Sequence, residues 1–175
     1  MLDTKLFQIV SDMGPFVRKN VLLRLFNRGN KTMEINPNDP EQLSTYEAED
    51  AWANSDSKYN QHLDKKEAQR IADKLCRKFH KPKVEVVLTS TMAFQSYYVR
   101  LDQRIVLSRG WGQMTHVLLH ELAHHISRCD GHDQDYRDTM LKIVAAFYSK
   151  RDAHSLRQEY IKRGLGVTPG KRGPL

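Results

Sequence analysis

The sequence has few cysteines and no long apolar run, and these absences exclude several classes of protein. Only Cys76 and Cys129 occur among 175 residues, and no C-x-x-C spacing is present. This composition is against a disulfide framework and against a cysteine-based zinc site. No apolar run approaches the ~20 residues that a membrane span needs. The first residues, 1–5, lack the charged-then-apolar order of a signal peptide, so we expect a cytoplasmic protein with free thiols and no membrane contact.

Charge is unevenly distributed along the chain, which carries a net charge of +7. Up to Leu63 there are 7 Lys and Arg against 9 Asp and Glu, which leaves 21 against 12 from Asp64 onward. The basic excess in the second part favours an acidic partner such as nucleic acid, and the alternative is a solvated basic surface. Much of this positive charge lies C-terminal to residue 149, where aromatic residues are sparse, with only Tyr148 and Tyr160 after Phe147. We therefore expect nucleic acid to be bound without sequence preference, through phosphates rather than stacked bases.

Length and hydrophobic periodicity predict one folded α+β domain with flanking segments. Helices are predicted over residues 2–27 with a break at Gly14-Pro15, and over residues 64–80, 133–150 and 153–163. Runs of β-branched and aromatic residues predict strands over residues 84–89, 95–101 and 104–108, which would form a small antiparallel sheet. We thus expect a helical segment over 1–33, the folded domain over 64–163 and a basic, disordered tail over 164–175.

The segment 34–63 between the first helix and the domain is acidic. From residue 34 to residue 57 it contains no Lys or Arg and seven acidic residues, namely Glu34, Asp39, Glu41, Glu47, Glu49, Asp50 and Asp56. One interpretation is an acidic linker. The other is an intramolecular cover for the basic part of the chain, anchored by Tyr46 and Trp52 and favoured by charge complementarity.

The strongest signal in the chain is His120-Glu121-Leu122-Ala123-His124, followed by Gly131-His132. Residues four apart lie on one face of a helix, so His120 and His124 are able to offer two imidazole nitrogens to one metal ion. Glu121 lies one position round the helix, where its carboxylate can reach a metal-bound water without being a ligand. The apolar residues around this stretch predict a buried helix. A histidine-rich helix that matches the pattern by chance is the alternative.

A catalytic zinc site usually has three protein ligands, and His132 is the candidate for the third. Gly131 is expected to let the chain reverse, so that His132 returns to the metal as the next helix begins. His125 points about 100° away from His124 and is not expected to be a ligand.

These residues resemble the SprT-like metallopeptidases, whose motif is HExxH, a short variable loop and then G-H-x-x-aromatic. Here the second part reads Gly131-His132-Asp133-Gln134-Asp135-Tyr136, and the resemblance covers roughly residues 64–149. It implies a minimal zincin fold in which His120, His124 and His132 bind zinc and Glu121 is the general base. It also implies DNA or DNA-bound protein as a partner. Many members carry a C-terminal zinc ribbon of four cysteines, which this chain lacks, so DNA targeting by that module does not carry over.

Several neighbours of the motif have two interpretations each. Tyr136 is expected to pack against His132, with stabilisation of the oxyanion as its alternative role. Trp111, between two glycines, is expected to pack on the domain rather than face substrate. His116 is either a core histidine or a partner that orients the ligands. The carboxylates expected to orient the ligand histidines are those nearby in sequence, Asp130, Asp133 and Asp135.

The sequence therefore predicts a zinc-dependent endopeptidase acting on protein or peptide substrates, with DNA-associated proteins as a candidate class. A regulatory protease that cleaves one partner protein at one site would use the same chemistry. The remaining alternative is a non-catalytic nucleic-acid-binding module in which zinc only fixes the fold, although such a site has no need for the base Glu121.

Overall fold

The structure is a computed structural model that describes residues 36–90 and 96–169. The predicted N-terminal helix over residues 2–27 and the basic pair Lys171-Arg172 lie outside the described residues. Within them, five α-helices occur: α1 Gln42–Ala53, α2 Lys65–Lys78, α3 Thr115–Ser127, α4 Gln134–Phe147 and α5 Lys150–Lys162. Three strands lie between α2 and α3: β1 Glu85–Leu88, β2 Tyr97–Val99 and β3 Arg104–Leu107. The predicted α+β class is confirmed.

The sheet is mixed, and the prediction of an antiparallel sheet is wrong for β1. The strand order is β1-β3-β2, with β1 parallel and β2 antiparallel to the central β3. A tight turn joins β2 to β3, in which Gln103 has φ 47° and donates from its N–H to the Arg100 carbonyl at 3.3 Å. Because β2 takes one side of β3 through this turn, β1 pairs on the other side. In this central position the apolar residues of β3 are the most deeply buried of the three strands.

The helix predicted over residues 64–80 is confirmed as α2. The Asp64 side chain accepts from the Glu67 N–H at 2.7 Å, which satisfies one of the free donors at the start of the helix. Its buried face consists of Ala68, Ile71, Ala72, Leu75 and Cys76. The Gln69 side chain continues the contact to β1, because its amide donates to the Val84 carbonyl at 2.9 Å and accepts from the Val86 N–H at 2.8 Å. This amide covers the outer edge of β1.

The acidic segment is part of the core and not a linker between folded parts. From residue 36 to residue 63 it forms α1 and a 3₁₀ helix, Ser57–Asn60. Its apolar side chains are buried in the same hydrophobic core as those of α2 to α5, and they are Ala48, Trp52, Ala53, Tyr59 and Leu63. Trp52 stacks on Tyr59 with ring centroids 4.1 Å apart.

The prediction of a disordered tail is wrong for residues 164–169. Gly164 has φ 71° and ends α5 in the left-handed conformation that glycine adopts without strain. Its N–H donates to the Ile161 carbonyl, and the Leu165 N–H donates to the Tyr160 carbonyl at 3.1 Å, which is the bond pattern of a Schellman motif. Leu165 is then buried in the core. Arg137 of α4 holds the next residue by donating from Nε to the Gly166 carbonyl at 2.8 Å.

No helix among residues 36–90 and 96–169 has both the length and the apolar character that a membrane span requires.

A buried carboxylate, Asp152, joins the start of α5 to the segment after α1. Its Oδ1 accepts from Lys58 Nζ at 2.8 Å and from the Tyr59 hydroxyl at 2.6 Å, while Oδ2 accepts from Ser149 Oγ at 2.5 Å. Burial raises the pKa of Asp152, but these three hydrogen bonds outweigh it and lower the pKa to about 2. Since the pKa is depressed on folding, the stabilisation is complete above the ordinary value of 3.8 and is lost as the pH falls towards 2.

We expect Asp152→Asn to lower the free energy of unfolding at pH 7 by about 1–3 kcal/mol, because charge-assisted hydrogen bonds are lost in a buried place. The difference in the free energy of unfolding between the variant and the wild type should shrink between pH 4 and pH 2.5. Urea titrations at several pH values measure both effects. Asp102→Asn, on an exposed carboxylate 3.9 Å from Arg104, is the control and should change stability by less than about 0.5 kcal/mol. A deficit that persists undiminished at pH 2.5 would contradict this account of Asp152.

Candidate metal centre

The turn before α3 carries the chain from β3 to the motif. Gly110 has φ 80°, which favours glycine, and a Cβ on Gly112 would overlap Oγ of both Ser108 and Ser96. The expected tight turn is thus present. Trp111 between the two glycines is 52% exposed and packs edge-on against the His116 ring at 5.2 Å, so it is only partly packed on the domain.

The helix α3 carries His120 and His124 one turn apart, with ring centroids separated by 5.0 Å. It is buried around nearly its whole circumference, as the sequence predicts. It ends where Arg128 takes φ 64° and donates its N–H to the His124 carbonyl at 3.0 Å. The reversal expected at Gly131 therefore occurs three residues earlier, and Gly131 itself has no positive φ. His132 follows it, directly before Asp133 caps α4.

The three histidines meet in one cluster. One nitrogen from each of His120, His124 and His132 lies within 4.8 Å of the other two. The Nε2 atoms of His120 and His132 are only 3.3 Å apart. This is the ligand set that the motif predicts, brought together by α3 and the start of α4.

Each of these imidazoles is held through its other nitrogen. His120 Nδ1 lies 2.6 Å from Glu49 Oε2, and His132 Nδ1 lies 2.7 Å from Asp39 Oδ2. His124 Nδ1 lies 2.9 Å from the Cys129 carbonyl. Because all three partners are hydrogen-bond acceptors, the proton of each neutral ring is on Nδ1 and the Nε2 lone pairs are free to bind a cation.

The carboxylates that orient the ligands are Asp39 and Glu49, and the expectation of Asp130, Asp133 or Asp135 is wrong. Asp130 pairs with Arg100 at 2.8 Å, and Asp133 caps α4 by accepting from the Tyr136 N–H at 2.9 Å. Asp135 is exposed. Asp39 also accepts from the His132 backbone N–H at 3.0 Å, so it fixes both the ring and the chain. The sequence signal for these partners was the run of acidic residues without Lys or Arg.

Glu49 also accepts hydrogen bonds from two buried tyrosines. Its Oε1 lies 2.6 Å from the Tyr160 hydroxyl and 3.1 Å from the Tyr136 hydroxyl. The Tyr136 hydroxyl is also 2.6 Å from His120 Nδ1. Tyr136 packs its ring against His132 as expected, with centroids 4.8 Å apart. Its hydroxyl, however, contacts Nδ1 of His120, whereas His120 faces the cluster with Nε2. This position does not fit the alternative role at the oxyanion.

The electrostatics of the cluster fit a divalent cation. Burial lowers the pKa of His120 and of His124 to about 3, and burial and His120 lower that of His132, so all three rings are neutral at pH 7. Three carboxyl groups, those of Asp39, Glu49 and Glu121, are buried around them. In the described part of the chain no Lys or Arg forms an ion pair with any of the three. Neutral imidazole donors backed by buried carboxylates suit a metal ion, whose charge would compensate these groups.

Glu121 is buried beside the cluster and is 5% exposed. Burial and the charge of Glu49 raise the pKa of its carboxyl to about 8, against a hydrogen bond from the Tyr98 backbone. Tyr98 belongs to β2, so the Glu121 carboxyl lies against this strand of the sheet.

The other two histidines of α3 are not in the cluster. His125 bridges the Tyr98 hydroxyl and the Pro82 carbonyl, each at 2.9 Å, and is not a ligand, as expected. His116 is buried and neither of its ring nitrogens has a hydrogen-bond partner among the described residues. Burial lowers its pKa to about 4. It is therefore a core histidine and not a partner of the ligands.

Comparison of the chain with protein-family models, with curated proteins and with solved structures gives no match. What the structure itself shows is a set of three histidines able to hold a metal ion, together with the carboxylates that orient two of them.

We expect Asp39→Asn to lower the affinity for zinc about 10- to 100-fold, because the amide keeps the shape of the carboxylate but not its charge. His132→Ala, which removes a ligand, should lower it further. Asp130→Asn is the matched control and should leave the affinity unchanged, since that carboxylate contacts Arg100 and no histidine. Competition with a chromophoric chelator measures all three. Equal losses in Asp39→Asn and Asp130→Asn would refute the assignment of Asp39.

Proposed function

We propose that this chain is a zinc-dependent endopeptidase with the site organisation of the SprT-like metallopeptidases. The observation that carries the proposal is the arrangement on α3 and α4. Three imidazoles present their Nε2 atoms to one place, and Glu121, whose carboxyl is buried, follows His120 on the same helix without belonging to the cluster. A minimal zincin fold, with the helix α3 against a small sheet, is part of the same proposal.

His120, His124 and His132 are the residues that would hold zinc. A bound zinc ion supplies Lewis acidity, which acidifies a coordinated water and polarises a substrate carbonyl. The protein supplies the orientation of the three rings, through Glu49, Asp39 and the Cys129 carbonyl. It also supplies a dry surrounding, since His120 and His132 are buried.

Glu121 is the general base in this proposal. Its carboxylate takes a proton from the attacking water and delivers that proton to the nitrogen of the leaving amine. Burial next to Glu49 favours the protonated form, which suits the second of these two steps. A cation held by His120, His124 and His132 would oppose that effect by its charge and favour the carboxylate form of Glu121, which the first step needs.

The edge strand β2 offers a place for an extended substrate. Among residues 36–90 and 96–169 it pairs only with β3, whereas the outer edge of β1 is covered by Gln69. Tyr98 of β2 lies beside Glu121 and is tied to α3 through His125. A peptide added to this edge would be held by main-chain hydrogen bonds, which implies low selectivity for side chains.

We expect Glu121→Gln to lower peptidase activity by about 10²-fold or more, since the amide cannot accept the proton. Zinc content and the free energy of unfolding should stay at the wild-type values. Cleavage of denatured casein and of a quenched-fluorescence peptide library by zinc-loaded protein measures the activity. If the wild type cleaves neither of these substrates nor any partner protein, and Glu121→Gln changes nothing, the site is structural and the chain is the non-catalytic module. Cleavage of one partner protein at one site alone would favour the regulatory protease.

A polyanionic partner such as nucleic acid is the second part of the proposal. Its support is the solvent-facing side of α2 and the loop that follows, where the exposed cations are Lys65, Lys66, Arg70, Lys74, Arg77, Lys78 and Lys83. The acidic residues on the same stretch are few, and only Arg70 has an ion pair with one of them, Glu67, at 3.8 Å. Such a surface fits phosphates, and the binding would be independent of base sequence.

We expect the triple variant Lys66→Gln, Arg70→Gln and Lys74→Gln to weaken binding to a 20-base-pair DNA duplex and to reduce the slope of log affinity against log salt by about 2 to 3, because each contact releases nearly one counterion. The comparison is a variant in which Lys150 and Arg151 are changed to Gln. It should lose less DNA affinity than the triple variant. Absence of binding by the intact chain at ~50 mM salt would leave the basic surface as a solvated one.

A further inference from the structure

One tyrosine hydroxyl next to the histidine cluster has a proton that no described residue accepts. Tyr46 of α1 places its ring against two of the ligands, with centroids 4.8 Å from His132 and 5.2 Å from His120. It is only partly buried, unlike Tyr136, which lies fully buried against all three histidines. The two tyrosines thus differ in their access to solvent, and a substrate is able to reach only Tyr46.

The direction of the hydrogen bond at the Tyr46 hydroxyl follows from its neighbours. Gln42 Oε1 accepts from the Asn36 backbone N–H at 2.8 Å, and a backbone N–H only donates. This fixes the orientation of the Gln42 amide, so its Nε2 donates to the Tyr46 hydroxyl at 3.1 Å. The phenol oxygen is therefore an acceptor in that bond. Its own proton remains available for a further acceptor.

The orientation of α1 about its own axis places Tyr46 against the cluster. Gln42, Tyr46 and Glu49 are spaced by four and three residues and share one face of the helix. Glu49 is anchored to His120 at 2.6 Å, so the same face is held against the cluster. Replacement of Tyr46 by Phe is therefore expected to leave α1 in place.

The other hydroxyls near the cluster are already engaged. The Tyr136 hydroxyl contacts Glu49 and His120, and the Tyr160 hydroxyl donates to Glu49. The Tyr98 hydroxyl is bound to His125. Among the described tyrosines around the site, Tyr46 is the one whose proton is not committed.

We propose that the Tyr46 hydroxyl donates a hydrogen bond to the carbonyl oxygen of the scissile peptide bond as that oxygen gains negative charge. The inference rests on the proposed peptidase function and names a further catalytic residue for it. A donor aimed at the oxygen where charge develops stabilises the transition state more than the bound substrate. Loss of the hydroxyl should then lower kcat and leave KM nearly unchanged.

The test compares Tyr46→Phe with the wild type and with Tyr148→Phe. The control loses the same hydroxyl from a tyrosine that packs against Trp52 and Tyr59, away from the cluster. The substrate is a peptide selected from a quenched-fluorescence library by cleavage with the zinc-loaded wild type. The second probe is the phosphinic analogue of that peptide, in which a tetrahedral phosphinate replaces the scissile amide. Zinc affinity and the free energy of unfolding are measured for all three proteins.

For Tyr46→Phe we expect kcat to fall about 10²-fold, with KM within about twofold of the wild type. Affinity for the phosphinic analogue should fall in parallel, while zinc affinity stays unchanged and Tyr148→Phe keeps full activity. A kcat within about threefold of the wild type overturns the inference and leaves the peptidase function standing. A sharp loss of zinc affinity also overturns it, because Tyr46 would then act on the metal site itself. A wild type that cleaves no peptide overturns both proposals.

Discussion

The arrangement of the helices in this domain depends on one buried group, the carboxylate of Glu49. It lies on α1 and meets His120 of α3, Tyr136 of α4 and Tyr160 of α5, so four helices converge on one buried group. Burial of a carboxylate is costly unless its oxygens accept hydrogen bonds and its charge is compensated. The three donors satisfy the first condition. A cation held by the imidazole that Glu49 orients would satisfy the second.

Two carboxylates from one short segment thus link the fold to the chemistry. Asp39 and Glu49 flank the first half of α1, and each holds the Nδ1 of a different ligand histidine. Arg137 reinforces the same region, since its guanidinium donates to the His132 carbonyl at 2.5 Å and pairs with Glu41 at 2.9 Å. From residue 36 to residue 63 the acidic segment is therefore not a linker. It is the part of the core that sets the orientation of the imidazoles.

Local patterns in the sequence predicted the elements well and the long-range contacts poorly. The meeting of His120, His124 and His132 follows from helical spacing and a short loop, and it is present, although zinc binding itself stays a prediction. The partners Asp39 and Glu49 lie 93 and 71 residues before their histidines, and no local spacing indicates such contacts. The parallel pairing of β1 was missed because the residue pattern of a strand predicts neither its neighbour in the sheet nor the direction of pairing. Gly164 followed by the apolar Leu165 did carry the signature of a helix end, which the composition of the tail obscured.

We propose that the oriented histidines bind one zinc ion through three imidazole nitrogens. Zinc K-edge X-ray absorption on the protein loaded with one equivalent of zinc tests this binding. We predict a first shell of three imidazole nitrogens at about 2.0–2.1 Å with one further light atom, as in sites that keep one position open. A shell that contains sulfur, a six-oxygen shell, or zinc that remains in bulk solution would contradict the claim.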